Sequence, residues 1–113
     1  MEFKTYLKVN LEYNKIERAI KRELSISFNE VVILDAIVNS QQKELSLDFL
    51  KDLIGVSYGL IHKYIKNLEA VSLISKYKNQ QDGRKWMINV DETQLNECQN
   101  LLEKVKDVYQ RFN

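Results

Sequence analysis

Proline is absent from the 113-residue sequence, and glycine occurs only three times. Average usage would give proline about 5% of the residues, and because proline breaks helices, its absence lets the chain run mostly as helix. A collagen-like or Pro-rich disordered chain is excluded. The 44% hydrophobic content is enough for one core, whereas two independent cores would each lie near the lower size limit for autonomous folding. We expect a single domain over residues 1–113.

Cysteine and histidine are also scarce, with one of each, Cys98 and His62. One cysteine can form no internal disulfide and cannot supply paired thiolates to zinc, which favours a reducing compartment. No run approaches the roughly 18 to 20 apolar residues of a membrane span, and no signal-peptide core follows residues 1–4. We expect a soluble, cytoplasmic protein with no membrane partner.

The scarcity of these side chains also argues against catalysis. One histidine cannot build a multi-histidine metal site, and no Glu or Cys stands at ligand spacing beside His62. The three glycines lie far from any phosphate-loop spacing. We predict a protein that is no enzyme and has no catalytic, metal-binding or cofactor-binding residues. Cys98 is interpreted as a small buried hydrophobe on the apolar stripe of the last helix.

Both ends of the chain carry an amphipathic helix pattern, within residues 1–24 and 92–112. Apolar residues recur there at steps of three and four: Tyr6, Val9, Tyr13, Ile16 and Ile20, then Leu95, Cys98, Leu102, Val105, Tyr109 and Phe112. Capping boxes at 27–30 and 91–94 start a helix over 27–39 and the last helix. Because a short core cannot easily cover both apolar stripes, we predict a two-fold dimer through these helices. The alternative is that they pack on each other within one chain.

A helix, a three-residue turn and a second helix are predicted within residues 48–70. Gly55 ends the first helix because it tolerates a positive φ, and Ser57 is placed to cap the second. One side of the second helix is predicted to be core: Val56, Ile61, Tyr64, Ile65 and Leu68. The opposite side is polar or basic: Gly59, His62, Lys63, Lys66 and Asn67, with Ser57 and Tyr58 at its N-terminal end. Gly59 in mid-helix costs about 1 kcal/mol relative to Ala, so we expect another molecule to approach the backbone there.

Strands are predicted at 74–78 and 85–90, joined by the polar loop 79–84 into a hairpin within 73–90. Residues 45–47 are compatible with a further short strand. The chain carries 17 Lys and Arg against 16 Asp and Glu, a net charge of +1.

That near-neutral total hides an uneven distribution along the chain. Residues 57–88 carry six basic and two acidic groups, a net charge of +4, while the segments 1–24, 25–56 and 89–113 have net charges of +2, −3 and −2. The positive excess therefore lies in the second helix and the hairpin, the two elements that a winged helix presents to DNA. We predict a mainly α (α+β) fold: a winged helix-turn-helix with N- and C-terminal dimerisation helices and a two-stranded wing.

The stretch Lys21-Arg22-Glu23-Leu24-Ser25-Ile26-Ser27-Phe28-Asn29-Glu30, with Asp82-Gly83-Arg84 in the hairpin loop, resembles the staphylococcal accessory regulator (SarA-like) branch of the MarR winged-helix transcription factors. The likeness covers nearly the whole chain. It implies a homodimer on AT-rich promoter DNA, with Arg84 in the minor groove, Asp82 bracing it and Lys78 contacting the DNA backbone at the base of the wing. The sequence departs from the family at Gly83, where an acidic residue is usual, and at Trp86-Met87, which replaces a β-branched pair.

These patterns together predict a sequence-preferring transcriptional regulator that binds double-stranded DNA as a homodimer. The residues predicted to contact DNA are Ser57, Tyr58, Gly59, His62, Lys63, Lys66, Asn67, Lys78, Gln80, Asp82, Arg84 and Lys85. Two alternatives stay open: a winged-helix protein-interaction module, which the near-zero net charge favours, and a plasmid replication or partition factor that uses the same groove contacts. The sequence identifies no small-molecule effector.

Overall fold

The computed structural model describes residues 1–81, 83 and 85–112. These residues form helices and short strands in the order α1 (Phe3–Leu24), α2 (Phe28–Val38), β1 (Glu44–Ser46), α3 (Leu47–Ile54), α4 (Tyr58–Ala70), β2 (Ser75–Lys78), β3 (Trp86–Asn89) and α5 (Glu92–Gln110). The mainly helical winged helix-turn-helix predicted from the sequence is confirmed. No helix in the described part of the chain is long and apolar enough to cross a membrane.

The wing belongs to a three-stranded antiparallel sheet with the order β1-β3-β2. The predicted two-stranded hairpin, β2 and β3, is extended by β1, which lies one residue before the short strand compatible with the sequence. Leu45 of β1 and Lys76 of β2 are both aligned with Ile88 of β3, whose side chain is fully buried. The inner strand of the sheet is thereby fixed to the core.

The core is centred on α2, which packs against α1, α3, α4 and α5. A helix surrounded by other helices is apolar around its whole circumference, and the run Val31–Leu34 has this character. The largest fully buried side chains come from four helices and one strand: Ile33, Leu34 and Ile37 from α2, Leu50 from α3, Ile61 and Ile65 from α4, Ile88 from β3 and Cys98 from α5.

Cys98 is fully buried, which confirms its interpretation as a small buried hydrophobe. Its Sγ donates a hydrogen bond to the carbonyl oxygen of Leu73 at 3.2 Å. Burial and, to a smaller extent, the charge of Glu97 raise the pKa of the Cys98 thiol to about 11. The thiol is therefore protonated at neutral pH.

The junction between α1 and α2 is held by the predicted capping box. Ser25 ends α1 in the left-handed region, at φ 58°, and the Ser27 hydroxyl accepts from the backbone N–H of Glu30. In return, Oε1 of Glu30 accepts from the backbone N–H of Ser27 at 2.9 Å and from its hydroxyl at 2.8 Å. Glu30 is only 3% exposed, so these bonds satisfy a carboxylate that burial would otherwise penalise. The second predicted capping box, between Asp91 and Gln94, is also present.

The two terminal helices meet within one chain, but only over part of their length. The C-terminal half of α1 packs on α5, where Ile20, Val105 and Val108 are buried. Arg111 donates to the Glu23 carboxylate across this contact at 2.5 Å, and this bond holds the pKa of Glu23 below its ordinary value. Much of the remaining apolar surface is exposed: Phe3, Tyr6, Leu7, Leu11 and Tyr13 of α1, and Tyr109 and Phe112 at the end of the chain. The predicted apolar stripes are thus buried by one chain only in part.

Candidate nucleic-acid interface

The turn between α3 and α4 has the predicted construction. Gly55 ends α3 at φ 78°, and its backbone N–H donates to the carbonyl of Lys51 at 2.8 Å. Since this backbone conformation is left-handed, glycine is the residue that adopts it at least cost. The Ser57 hydroxyl then accepts from the backbone N–H of Leu60 at 3.3 Å and caps α4. Its oxygen thus has an acceptor role inside the protein.

The two faces of α4 are separated as the sequence predicts. Ile61, Ile65 and Leu68 are buried, while Val56 and Tyr64 are half-buried. The hydroxyl of Tyr64 accepts a 3.1 Å hydrogen bond from the side-chain amide of Asn29 in α2, which further ties this face to the core. On the opposite face three of the predicted contact residues are exposed and one is half-buried: Lys63, Lys66 and Asn67, and then His62.

Gly59 requires a correction to the sequence prediction. The helix begins at Tyr58, so Gly59 is its second residue rather than a mid-helix residue. A Cβ built at Gly59 would meet only the Ser57 hydroxyl, at 3.9 Å. Because the first turn of a helix still lacks its intrahelical N–H bonds, the helix interior cost does not apply there in full. The protein itself gives no steric reason for a glycine.

Tyr58 has partners in α3 that the sequence did not indicate. Its hydroxyl donates to the carboxylate of Asp48 at 2.7 Å, and Nζ of Lys51 lies 4.7 Å from the centre of its ring. The hydrogen bond to Asp48, followed by the charge of that carboxylate, raises the pKa of Tyr58 above 10.0. The ring is 53% exposed, so its remaining surface faces outward at the N-terminal end of α4. Only the tertiary arrangement of α3 and α4 brings these residues together.

Two of the predicted wing residues, Asp82 and Arg84, lie outside the described residues. The loop around them is closed by the backbone N–H of Asn79, which donates to the carbonyl of Lys85 at 2.8 Å. The side-chain oxygen of Asn79 also accepts from the backbone N–H of Gln81 at 3.0 Å, as in an Asx turn. The predicted contact residues Gln80 and Lys85 are exposed on either side of this turn.

The base of the wing contains a cluster that sequence reasoning missed. Nζ of Lys76 lies 4.6 Å and Nζ of Lys78 lies 5.0 Å from the centre of the Trp86 ring. Lys78 is aligned with Trp86 in the sheet, and residues two apart in a strand point to the same face. The alternation of side chains along β2 could have placed Lys76 and Lys78 on one face. Their partner on β3, Trp86, depends on the register of the two strands. Among the predicted contact residues the cluster includes only Lys78.

The positive side chains of this region are thus carried by two elements, α4 and the β2–β3 hairpin. Among the described residues, no group of three His, Cys, Asp or Glu side chains could hold a metal ion. Exposed lysines beside amide and hydroxyl groups can bind phosphates and hydrogen-bond base edges. The arrangement is suited to binding a polyanion.

The sequence of this chain is similar to those of known transcriptional regulators. A family model described as "Transcriptional regulator SarA/Rot" matches residues 15–101. The transcriptional regulator SarA of Staphylococcus aureus strains Newman and USA300 is 29% identical over 92 residues, which are 81% of this chain and 74% of SarA.

Solved structures of MarR-family regulators have a similar fold. AbsC from Streptomyces coelicolor superposes with a TM-score of 0.81 at 18% identity, over 97% of this chain and 74% of AbsC. Sco3205 from the same organism, in complex with DNA, has a TM-score of 0.82 at 12% identity, over 97% and 69% of the two chains. A MarR mutant from E. coli, complexed with operator DNA, has a TM-score of 0.76 at 17% identity, over 97% and 80%. At these identities the likeness concerns the fold.

Proposed function

This chain belongs to the SarA/Rot family of transcriptional regulators, and we propose that it acts by binding double-stranded DNA as a homodimer. In this proposal α4 enters the major groove and the wing lies over the adjacent minor groove. A regulator of this kind acts where promoter DNA is, in the cytoplasm. The observation that carries the proposal is the exposed polar face of α4, opposite the residues that fix the helix on the core.

α4 can enter a groove without disturbing the core. Ile61 and Ile65 are fully buried, while Lys63 and Lys66 are exposed on the other face. The B-DNA major groove is about 12 Å wide and admits a helix. The two lysines are suited to phosphate oxygens, which set position and affinity, and Asn67 is suited to the donor and acceptor that adenine presents.

The N-terminal end of α4 is proposed to approach the base edges. Ser57, Tyr58 and Gly59 are exposed there. The bond between Tyr58 and Asp48 of α3 restricts the tyrosine ring, so the ring meets DNA in a preorganised position. Half-buried His62 is placed to donate to a phosphate or a base.

The wing is proposed to supply the preference for AT-rich DNA. Arg84 would enter the minor groove, which is narrow and strongly negative in A-tracts, and Asp82 would brace it. Gln80 and Lys85, exposed beside the turn, would add contacts to the groove and the backbone. Lys78 at the base of the wing would contact a phosphate. The backbone hydrogen bond between Asn79 and Lys85 supports this role because it joins the two ends of the hairpin loop.

The homodimer is supported by the apolar surface that one chain leaves open. Phe3, Leu7 and Leu11 of α1 are exposed, although exposed residues of this type rarely cluster on a lone soluble chain. A groove of about 440 Å³, lined by residues that include Tyr13, Ile16, Phe28, Val105 and Tyr109, lies between α1, α2 and α5. A second copy that covers this surface would place the two α4 helices on successive major grooves, about 34 Å apart. The contact of α1 with α5 inside one chain leaves this surface available.

Fluorescence anisotropy with AT-rich and GC-rich duplexes across a salt series tests the proposal. Affinity should fall steeply as salt rises, because each phosphate contact contributes about −0.9 to the slope of log K against log salt. Lys63→Ala should weaken binding to both duplexes similarly, whereas Arg84→Ala should chiefly reduce the preference for AT-rich DNA. Absence of salt-sensitive binding to either duplex would contradict the proposal and favour a protein-interaction role.

A further inference from the structure

We infer that Trp86 is a positioning residue that gathers Lys76 and Lys78 into one phosphate-binding site at the base of the wing. The ligand of this site is a phosphodiester of the DNA backbone, so the inference rests on the proposed function and deepens it. Neither Lys76 nor Trp86 was among the contact residues predicted from the sequence.

The geometry of the sheet brings the three residues together. Lys76 and Lys78 are two residues apart on β2 and therefore share one face, and Lys78 is aligned with Trp86 on β3. Both ammonium nitrogens lie within 5.0 Å of the centre of the same ring. Tyr77, between the lysines, belongs to the other face, where its hydroxyl donates to Glu44 of β1. The two lysines of β2 therefore lie on one face of the sheet, and Tyr77 lies on the other.

The indole ring accounts for the position of two like charges beside each other. An ammonium group within about 6 Å of an aromatic centre is attracted to the negative face of the ring, and tryptophan is the strongest such partner. This attraction offsets part of the repulsion between Lys76 and Lys78. It also restricts the two lysine side chains in the free protein, so less side-chain entropy is lost when they bind a ligand. A phosphate therefore meets ammonium groups that are already in place.

Glu69 pairs with Lys76 in the free protein. Its carboxylate lies 3.8 Å from Nζ of Lys76, and the Lys76 side chain is 22% exposed. In the free protein Lys76 therefore lies beside both Glu69 and the Trp86 ring, while Lys78 is exposed. A phosphate that binds Lys78 adds negative charge beside Lys76 and competes with Glu69 for it. Lys78 is the direct contact, and Lys76 supplies the second charge.

The first test uses the free protein, because Trp86 is its only tryptophan. Lys76→Met and Lys78→Met should each shift the emission spectrum of Trp86, since each removes a charge within 5.0 Å of the ring centre. Lys104→Met, at an exposed position on α5, is the matched control and should leave the spectrum unchanged. Identical spectra for all four proteins would overturn the cluster itself, whether or not the protein binds DNA.

The second test is a double-mutant cycle on duplex binding by anisotropy. Trp86→Leu should weaken binding about threefold to tenfold, and Trp86→Phe should retain most of the affinity because it keeps an aromatic ring. In the Lys76→Met/Lys78→Met background, Trp86→Leu should have almost no further effect, because the ring then has no cation to position. Thermal unfolding by circular dichroism checks the fold of each variant. Should Trp86→Leu not fold, the same cycle is run with Trp86→Phe, for which a smaller loss that disappears in the double-lysine background is expected.

The outcomes separate this inference from the proposed function. If the wild-type protein binds no duplex, the proposed function and the inference both fall. If it binds, and the loss caused by the Trp86 substitution is the same in both backgrounds, Trp86 only stabilises the wing and the inference alone falls. Coupling between Trp86 and the two lysines, together with retention of affinity by Trp86→Phe, supports it.

Discussion

The hydroxyl of Tyr58, the first residue of α4, donates a 2.7 Å hydrogen bond to the carboxylate of Asp48, the second residue of α3. The two helices of the helix-turn-helix are therefore joined by side chains as well as by the turn at Gly55. Lys51 lies against the same ring, so α3 contributes two side chains to the surface at the start of α4. The orientation of α4 depends on this exposed contact in addition to the core.

Asp48→Asn should lower the pKa of Tyr58 toward 10.0, because the charged acceptor that raises it is removed. In the wild-type fold this pKa lies above that of the unfolded chain. The bond's contribution to stability is therefore present at neutral pH and is lost as the pH rises through the folded pKa. NMR titration of ring-labelled tyrosine measures the change, with Asp52→Asn as a comparison of smaller expected effect. An unchanged Tyr58 titration in Asp48→Asn would show that the bond is absent in solution.

Gly55→Ala should lower the free energy of unfolding, whereas Gly59→Ala should leave it unchanged or raise it. Gly55 has a φ of 78°, so alanine there should cost about 1–2 kcal/mol. Gly59 has an ordinary helical position where an added Cβ would make only a 3.9 Å contact with the Ser57 hydroxyl, and alanine should be neutral or stabilise by up to about 1 kcal/mol. Urea unfolding compares the two variants.

Gly59→Ala also tests the proposed approach of DNA to the start of α4. If a phosphate or base edge contacts the backbone at Gly59, the variant should bind duplex more weakly while its fold is unaffected. Wild-type affinity in a stable Gly59→Ala protein would mean that nothing approaches the helix there. The glycine would then have no functional role that the structure supports.

Cys98 should be inert to thiol reagents in the native protein and reactive in denaturant. It is fully buried, and its pKa of about 11 leaves almost no thiolate at neutral pH. The pKa in the folded protein is raised above the ordinary value of 9.0. The contribution of the buried thiol to stability is therefore complete below about pH 9 and is lost as the pH rises through about 11. Reaction with Ellman's reagent in native buffer, at the rate seen in denaturant, would contradict the described burial.

Leu11→Glu should convert the proposed dimer to a monomer. Leu11 is 57% exposed on the open part of α1, and a charge there would be buried unpaired in a dimer interface. Leu53→Glu is a matched control, because Leu53 is 51% exposed but lies on α3. Analytical ultracentrifugation at tens of micromolar should give a dimer for the wild type and the control. A monomeric wild-type protein would refute the dimer.

Local signals predicted much of the fold. Ser27 and Glu30 form a capping box that depends on four consecutive residues, and Gly55 ends a helix through its own backbone freedom. The buried and exposed faces of α4 follow from a 3.6-residue period alone. Such features are readable because the partners are neighbours in sequence or lie on one helix.

Contacts between elements were not predictable in the same way. The pairing of Lys78 with Trp86 requires the register of β2 and β3, and the bond between Tyr58 and Asp48 requires the angle between two helices. Gly59 was misplaced as a mid-helix residue although the cap was predicted correctly, since a helix that Ser57 caps begins at Tyr58 and has Gly59 as its second residue. β1 pairs over three residues, too few for a clear alternation in sequence.

The salt dependence of duplex affinity measures whether the exposed face of α4 binds DNA. The wild type is compared with Lys63→Ala/Lys66→Ala and with Lys104→Ala, which removes a charge from α5 instead. The α4 variant should lose affinity, and its slope of log K against log salt should become shallower by about 0.9 for each phosphate contact removed, while Lys104→Ala should match the wild type. Equal slopes and affinities for all three proteins would show that the exposed face of α4 does not bind DNA.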